Sequence, residues 1–165
     1  MAQILVLSDS HARTVQELPK EILQAIKEAE WVVHCGDYTS VVVVEELRQL
    51  ARHFVGVYGN ADLGDVRRQL PQEVIFELEE RKIAVIHPHW GGYPSRLHEE
   101  LVARFPQVDA ILFGHTHEPC SLTRNSTVLL NPGQSYPSFM VPASMGILTV
   151  NKEELRGEIS VIDSK

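Results

Sequence analysis

The sequence predicts an α/β fold, a two-sheet β-sandwich flanked by helices. Short apolar runs alternate with helical patterns from Ile4 to Val57, which is typical of a layered parallel sheet. The rest of the chain is rich in short strands, which favours a second sheet packed on the first. The length of 165 residues suits one domain, so we expect residues 1–165 to form a single unit.

The first half of the chain follows the order strand, helix, strand, helix, strand. Apolar positions 18, 22, 26 and 29 have helical spacing, and Pro19 suits a first helical turn. Thr39 or Ser40 can cap the second helix, although the run Val41–Val44 has strand propensity. The predicted elements are strands at Ile4–Leu7, Trp31–His34 and His53–Val57, and helices at Leu18–Glu30 and from Thr39 or Ser40 to about Arg52.

The second half begins with a polar segment, 61–72, and then a predicted hairpin turning at Glu79-Glu80-Arg81. Pro94 opens a helix that runs to about Phe105. The predicted strands of this half are Glu73–Leu78, Lys82–Ile86, Ala110–Phe113, Ser121–Arg124, Val128–Leu130, Gly146–Val150 and Leu155–Ile162.

Composition and charge exclude several classes of function. The formal net charge is −7, which disfavours stable binding to nucleic acid because duplex contacts need many cations. Two cysteines, Cys35 and Cys120, are too few for a disulfide framework. No apolar run reaches about 18 residues, so we expect neither a signal peptide nor a membrane span. The default location is therefore the cytoplasm.

Polar side chains that can bind metals follow the predicted strands at their ends. They occur in the fragments Asp9-Ser10-His11, Gly36-Asp37, Gly59-Asn60, His87 and Gly114-His115-Thr116-His117. Strand ends in layered α/β folds gather at one rim, so these side chains can converge. Each fragment alone also occurs as an ordinary turn, but turn chemistry explains poorly why all five lie at strand ends. The joint pattern predicts a metal site at the strand C-terminal rim.

The order of these fragments resembles the calcineurin-like metallophosphoesterase superfamily. Further fragments resemble its small bacterial and archaeal phosphodiesterase branch, namely Ser8-Asp9-Ser10-His11, Gly59-Asn60-Ala61-Asp62, Gly114-His115-Thr116-His117 and Asn131-Pro132-Gly133. The resemblance covers almost the whole chain and implies the metallophosphoesterase fold with two divalent metals. It implies that one metal binds Asp9, His11 and His117, that the second binds Asn60, His87 and His115, and that Asp37 bridges them.

This resemblance implies a metal-dependent phosphoesterase, with a small phosphodiester preferred over a phosphomonoester as substrate. Paired metals can clamp a phosphoryl group and generate a hydroxide at neutral pH. Mixed nitrogen and oxygen ligands suit several metals; we expect Mn, with Ni, Zn, Fe or Co as alternatives. Asp37, Asn60 and His89 are the predicted catalytic residues, and Arg13 and His89 are the predicted substrate contacts.

The chain departs from the family pattern at three places. Ala61 stands where many members have a His that can protonate the leaving group, although the small branch often lacks it too. Protonation then comes from elsewhere, with His89 as the best candidate unless it is a structural or solvated His, or it matters less because the leaving group is acidic. Pro88 follows His87 where the family usually has Gly, which either the loop tolerates or which shifts the His87 geometry. The Arg that usually follows the Asn-Pro-Gly fragment is absent, and Arg13 can supply the positive contact instead, or be a solvated loop charge.

Three further roles stay open at this point. A catalytically silent protein-interaction scaffold is the alternative function, because retromer contains a metallophosphoesterase-like subunit of similar size. That subunit has an altered Asp-x-His and altered neighbouring ligands, whereas the corresponding ligands are all present here, which favours an enzyme. They are Asp9, His11, Asp37, Asn60 and His117. Asp62 can act as a partner that orients a ligand. The apolar segment Phe139-Met140-Val141 can serve a homo-oligomer interface.

Overall fold

The computed structural model describes residues 1–162 and shows two mixed β-sheets with helices packed against them. The strands are β1 (Ala2–Leu7), β2 (Trp31–His34), β3 (His53–Gly56), β4 (Glu73–Leu78), β5 (Arg81–Ile86), β6 (Ala110–Phe113), β7 (Cys120–Arg124), β8 (Thr127–Asn131), β9 (Ala143–Val150) and β10 (Leu155–Ile162). The helices are α1 (Lys20–Glu28), α2 (Val41–Leu50), α3 (Gly64–Gln69) and α4 (Pro94–Arg104), and a 3-10 turn spans Val15–Glu17. Residues 163–165 of the expected single domain lie outside the described residues.

The two sheets contain five strands each, in the orders β10-β9-β1-β2-β3 and β4-β5-β6-β8-β7. Strands β1, β2 and β3 run parallel to one another, as do β5, β6 and β8. The carboxyl ends of the parallel strands within each sheet therefore lie at the same edge. The predicted two-sheet sandwich is confirmed, but its last two strands return to the first sheet, where β9 pairs with β1 and β10 pairs with β9.

Three apolar clusters separate the layers of the fold. The middle cluster lies between the sheets and includes Val6, Val85 and Leu112. On the outer face of the first sheet, α1 and α2 pack onto a second cluster. On the outer face of the second sheet, α4 buries Leu97 and Leu101 in a third. Alternate residues of β1 point into the first two clusters, since successive side chains of a strand face opposite sides.

Most predicted elements occur where the sequence placed them, with ends that differ by one to three residues. Helix α2 forms despite its valine run because Ser40 caps it, accepting a hydrogen bond from the Val42 N–H at 3.3 Å. The polar segment 61–72 contains α3, which the sequence analysis missed. This helix is only six residues long and begins at Gly64, so it lacks a usable periodic signal.

A helix must be long and apolar to cross a membrane. Within residues 1–162, no helix has the length and apolar character needed to cross a bilayer.

Candidate metal centre

All seven predicted metal ligands lie just beyond strand ends at one rim of the molecule. Asp9 and His11 follow β1, Asp37 follows β2 and Asn60 follows β3. The remaining three come from the second sheet, namely His87 after β5, and His115 and His117 after β6. The rim therefore draws donors from both sheets, and the side-chain distances described next bring them into one cluster.

One group of donors consists of Asp9, His11 and His117. Their ligand atoms lie within 4.8 Å of one another, a separation that one ion could bridge. The Nε2 atom of His117 is 3.3 Å from Oδ1 of Asp9. The ring of His11 lies beside that of His117, with centroids 5.6 Å apart. This group matches the expected ligands of the first metal.

A second group consists of Asp9, Asp37 and His87, whose ligand atoms also lie within 4.8 Å of one another. Oδ2 of Asp37 is 3.4 Å from Nε2 of His87 and 3.7 Å from Nε2 of His11. Asp37 thus lies between a His of each expected metal. This position suits the predicted bridging ligand.

Asn60 extends the second group toward His115. Its Oδ1 atom is 3.0 Å from Nε2 of His87 and 3.0 Å from Nδ1 of His115. One amide oxygen therefore faces two imidazole nitrogens, as expected if all three surround one cation. The rings of His87 and His115 stand edge to face at 5.2 Å.

A buried carboxylate oxygen without a partner shows that the site fits a cation. Asp9 is fully buried, and its Oδ2 accepts hydrogen bonds from the Ser8 hydroxyl at 2.6 Å and the His115 N–H at 3.0 Å. Within residues 1–162, Oδ1 of Asp9 is the buried side-chain polar atom that has no hydrogen bond. Such an atom is costly unless something else satisfies it. Because it faces His87 and His117, a metal ion is the partner that the donor set best provides for.

The backbone at the ligands adopts the left-handed region, which non-glycine residues seldom occupy. Five of the seven have positive φ, and they are Asp9 (49°), His11 (42°), Asp37 (60°), His115 (80°) and His117 (60°). The pairs 9/11 and 115/117 therefore reach the site from a left-handed backbone and not from extended strand. Strain of this kind concentrates at functional sites, where the surrounding structure compensates for it.

Glycines next to the ligands allow a close approach of the chain. A Cβ atom added at Gly59 would collide with the Asp37 carboxylate, and one at Gly114 would collide with the Ser8 hydroxyl. Neither residue has a positive φ, so the requirement here is space and not backbone freedom. The sequence pattern of glycine before a ligand therefore has a steric origin at these two positions.

Two histidines are held in a fixed tautomer by contacts outside the cluster. Nδ1 of His87 donates to the Cys35 carbonyl at 2.8 Å, which leaves Nε2 free to face the site. Nδ1 of His117 lies 2.8 Å from Oε1 of Gln134. The Gln134 amide nitrogen donates to the carbonyl of Tyr136 at 2.7 Å, so the oxygen must face His117 and accept its proton. Partners of this kind orient metal-binding imidazoles.

Asp62 fixes the two loops that carry Asp37 and Asn60. Its carboxylate accepts backbone N–H bonds from Asp37 at 2.9 Å, Thr39 at 2.8 Å and Gly59 at 2.8 Å. The expected orienting role is therefore exerted through the backbone, since these bonds join the loop after β2 to the loop after β3. Burial raises the pKa of Asp62 above its usual value, although the three N–H donors oppose this.

The charges within the cluster perturb one another. Burial raises the pKa of Asp9, but the close approach of His117 and the charge of His87 outweigh it and lower the value. Burial likewise raises the pKa of Asp37, and its contacts with His87 bring the net shift downward. The Asp9 carboxylate raises the pKa of His117 to about 9. Cations are therefore favoured next to these two carboxylates, which is the electrostatic requirement of a metal site.

The departures from the family pattern have a structural outcome. The loop tolerates Pro88, because His87 is buried with its ring in place and the Pro88 carbonyl accepts the Gly91 N–H at 3.0 Å. His89 is exposed and lines a cavity together with His87. The Arg13 side chain instead pairs with Glu17, with an Nε–Oε1 distance of 2.7 Å, and its predicted contact with substrate stays a prediction.

Three residues near the site had no signal that marked them as functional. Gln134 follows the Asn131-Pro132-Gly133 fragment, and it orients His117. The ring of Tyr136 stands edge to face with those of His11 and His117, at 5.7 and 6.4 Å. Arg67 belongs to the missed helix α3 and reaches back to the Asn60 loop.

Comparison with known proteins gives a consistent family. The family model of the calcineurin-like phosphoesterase superfamily domain matches residues 2–153. A probable metallophosphoesterase of Methanocaldococcus jannaschii is 36% identical over 131 residues, which is 78% of this chain but just under two thirds (65%) of that protein. A phosphodiesterase of the same organism is 28% identical over 93% of this chain and 96% of its own length.

Solved structures agree on the fold. A Thermotoga maritima protein, determined by solution NMR, has a TM-score of 0.75 and 33% identity, covering 98% of this chain and 100% of that one. Vacuolar protein sorting 29 from Cryptosporidium parvum has a TM-score of 0.76 at 20% identity, covering 99% and 98% of the two chains. The second likeness concerns the fold alone.

Proposed function

The chain belongs to the calcineurin-like phosphoesterase superfamily, and from this premise we propose that it is a phosphodiesterase that uses two divalent metal ions, with Mn as the preferred metal. The observation that carries the proposal is the cluster of donors that Asp9 forms with His11, His117, Asp37 and His87, in which Oδ1 of Asp9 lacks a hydrogen-bond partner. Relatives named as phosphodiesterases support a diester as the substrate.

The residues that would hold the ions follow from the two groups of donors. Asp9, His11 and His117 would hold one ion, and Asn60, His87 and His115 the other, with Asp37 shared between them. When bound, such a pair supplies an activated water and offsets charge on the phosphoryl oxygens. The protein keeps Nε2 of His87 and of His117 directed at the site through Cys35 and Gln134, so little reorganisation is needed.

Two cavities that border the donors support a diester over a monoester. A cavity of about 540 Å³ borders His115 and is lined by Gly91, Tyr93 and Thr116 among others. A second cavity of about 230 Å³ borders Asn60 and His87. A phosphodiester has two organic arms, and each could occupy one recess, whereas a monoester would leave one empty.

Asp37→Ala tests the proposal through bis-p-nitrophenyl phosphate hydrolysis with added Mn. We expect the parent chain to turn over this diester and Asp37→Ala to lose at least about 10²-fold in rate, because the shared carboxylate is removed. Glu153→Ala is the matched control, since Glu153 is an exposed acid in the turn between β9 and β10 at the opposite rim. Absence of metal-dependent turnover in the parent chain would refute the proposal that the chain is an enzyme.

His89→Ala tests the proposed protonation of the leaving oxygen. His89 lines the smaller cavity beside His87, so it can approach an ester oxygen there. We expect about 10²-fold slower hydrolysis of diphenyl phosphate, whose leaving group is basic, and little change for bis-p-nitrophenyl phosphate. His53→Ala, on an exposed His at the far end of β3, is the control. Equal slowing of both diesters would contradict a proton-donating role.

The alternative is a catalytically silent interaction scaffold on the same fold. The likeness to vacuolar protein sorting 29 keeps it as the second candidate. The intact donor set disfavours it, because a scaffold has no use for a buried carboxylate oxygen that lacks a partner. Bound metal in a purified chain without turnover would favour this alternative.

Several expectations stay predictions beside this proposal. These concern the identity of the metal, the cytoplasmic location, the absence of stable nucleic-acid binding and a homo-oligomer. Phe139 and Met140 are exposed, as an interface would require. The assignment of residues 1–165 to one domain is likewise proposed, since one apolar layer joins both sheets.

A further inference from the structure

The smaller cavity beside the donors has a cationic wall. We call it the Arg67 cavity; its volume is about 230 Å³, and it is lined by Tyr58, Gly59, Asn60, Arg67, Gln72, His87 and His89. Sites that enclose a whole small molecule are usually about 300–1,000 Å³. The cavity is therefore of a size to take one substituent of a larger substrate, next to two of the expected metal ligands.

The guanidinium of Arg67 is held at this wall by the loop that carries Asn60. Its Nε donates to the Asp62 carbonyl at 2.7 Å, and its Nη2 donates to the Asn60 carbonyl at 3.2 Å. The group also lies 5.0 Å from the centroid of the Tyr58 ring, within cation–π distance. Across residues 1–162 the structure gives Nη1 no hydrogen bond, so part of the guanidinium stays available to a ligand.

The charge of Arg67 is not neutralised by a neighbouring acid among the described residues. The nearby Asp62 carboxylate already accepts three backbone N–H bonds, and Asp65 pairs with Arg68. In a chain of net charge −7, a cation without an acidic partner beside a substrate cavity is a distinctive feature. Guanidinium groups bind carboxylates and phosphates through paired N–H donors, which makes an anion the fitting ligand.

We propose that the Arg67 cavity binds one arm of the diester substrate and favours arms that carry a negative charge, a carboxylate or a further phosphate on a ring-sized group. This inference rests on the proposed phosphodiesterase function. Tyr58 contributes an aromatic side chain to the cavity wall that suits a ring-sized group, and Arg67, which lies over that ring, offers the charge that selects among such groups. Arg67 is thus a specificity residue, and its carbonyl bonds position it.

The test compares two symmetric diesters, bis(4-carboxyphenyl) phosphate and the neutral bis(4-carbamoylphenyl) phosphate. Because the two arms of each diester are identical, the cavity binds the same chemical group whichever arm is released by hydrolysis. The quantity measured is the ratio of kcat/KM for the charged diester to that for the neutral one. We expect Arg67→Gln to lower this ratio about five- to tenfold, the effect of losing one charge-assisted contact at an exposed site. The two diesters also differ in the reactivity of their leaving groups, but this difference is the same for parent and variant, so it cancels when their ratios are compared.

Arg68→Gln is the matched control. Arg68 is the next residue of α3 and pairs with Asp65 away from the Asn60 loop, so this change removes the same charge from the same helix. We expect its ratio to equal that of the parent. A ratio that falls equally in both variants would mean a diffuse effect of net charge and would overturn the inference.

Two further results separate this role from simpler ones. If Arg67 only fixes the Asn60 loop, Arg67→Gln will slow both diesters equally and weaken Mn binding, and the unchanged ratio will refute the inference. If the parent chain turns over neither diester, the proposed function fails. The dissociation constants of the two diesters are then measured by calorimetry on the Mn-loaded protein, and their ratio replaces the ratio of kcat/KM values. Tighter binding of the charged diester that depends on Arg67 would support the cavity's selectivity; equal binding would reject it.

Discussion

Asp9 and His117 show how single side chains are prepared for a cation. Asp9 has one carboxylate oxygen satisfied by Ser8 and the His115 N–H, while the other faces the site without a hydrogen bond. His117 has its outer nitrogen occupied by Gln134, so that its inner nitrogen faces Asp9. The arrangement removes rotational freedom before any ion arrives, and this lowers the entropic cost of binding.

Gln134→Ala tests the role of this outer contact. The change removes the acceptor that orients His117, and we expect the affinity for Mn to fall about 10- to 100-fold. Calorimetric titration of Mn into metal-stripped protein measures this affinity. Gln16→Ala, on an exposed glutamine, serves as the comparison. Unchanged affinity in Gln134→Ala would show that His117 needs no support from this side chain.

The ligand residues were predictable because their chemistry is local. Asp9, His11 and Asp37 directly follow apolar strands, and the sequence displays both facts side by side. Gln134 and Arg67 were not predictable in the same way. Their roles depend on contacts across 17 residues for Gln134 and on a loop–helix packing for Arg67, neither of which leaves a pattern in neighbouring residues.

At the scale of elements, the loops after β2 and β3 act as one unit. The Asp62 carboxylate joins them through three backbone bonds, and the Ala61 N–H donates to Oδ1 of Asp37 at 2.8 Å. Helix α2 starts directly after the first of these loops, so the beginning of the helix helps to define where Asp37 stands.

Ser40→Ala tests the cap of α2. The valine run gives this helix little intrinsic propensity, so the hydrogen bond to Ser40 should matter. We expect the free energy of unfolding to fall by about 1 kcal/mol. Urea denaturation of the metal-free protein measures it. A change within the error of the method would indicate that tertiary packing alone sets the helix start.

Sequence periodicity identified strands and long helices but not how the strands pair. Strand β9 pairs with β1, at a separation of more than 100 residues, and no local pattern encodes that partner. The short helix α3 escaped for the opposite reason, since six residues beginning with glycine give too weak a signal.

At the scale of the whole molecule, the sandwich brings two sheets to one rim. The first sheet contributes Asp9, His11, Asp37 and Asn60, and the second contributes His87, His115 and His117. Neither sheet alone carries a complete donor set for either ion, because each expected metal draws on both. The apolar layer between the sheets therefore sets the relative positions of the donor side chains and also stabilises the fold.

The most direct test of the two-metal account is the hydrolysis of bis-p-nitrophenyl phosphate by metal-stripped protein as Mn is added in counted equivalents. We predict a negligible rate without metal and a rate that rises with added Mn and levels off at two equivalents per chain, since both donor groups must be filled. A rate that is independent of Mn, or that reaches its limit at one equivalent, would contradict the account.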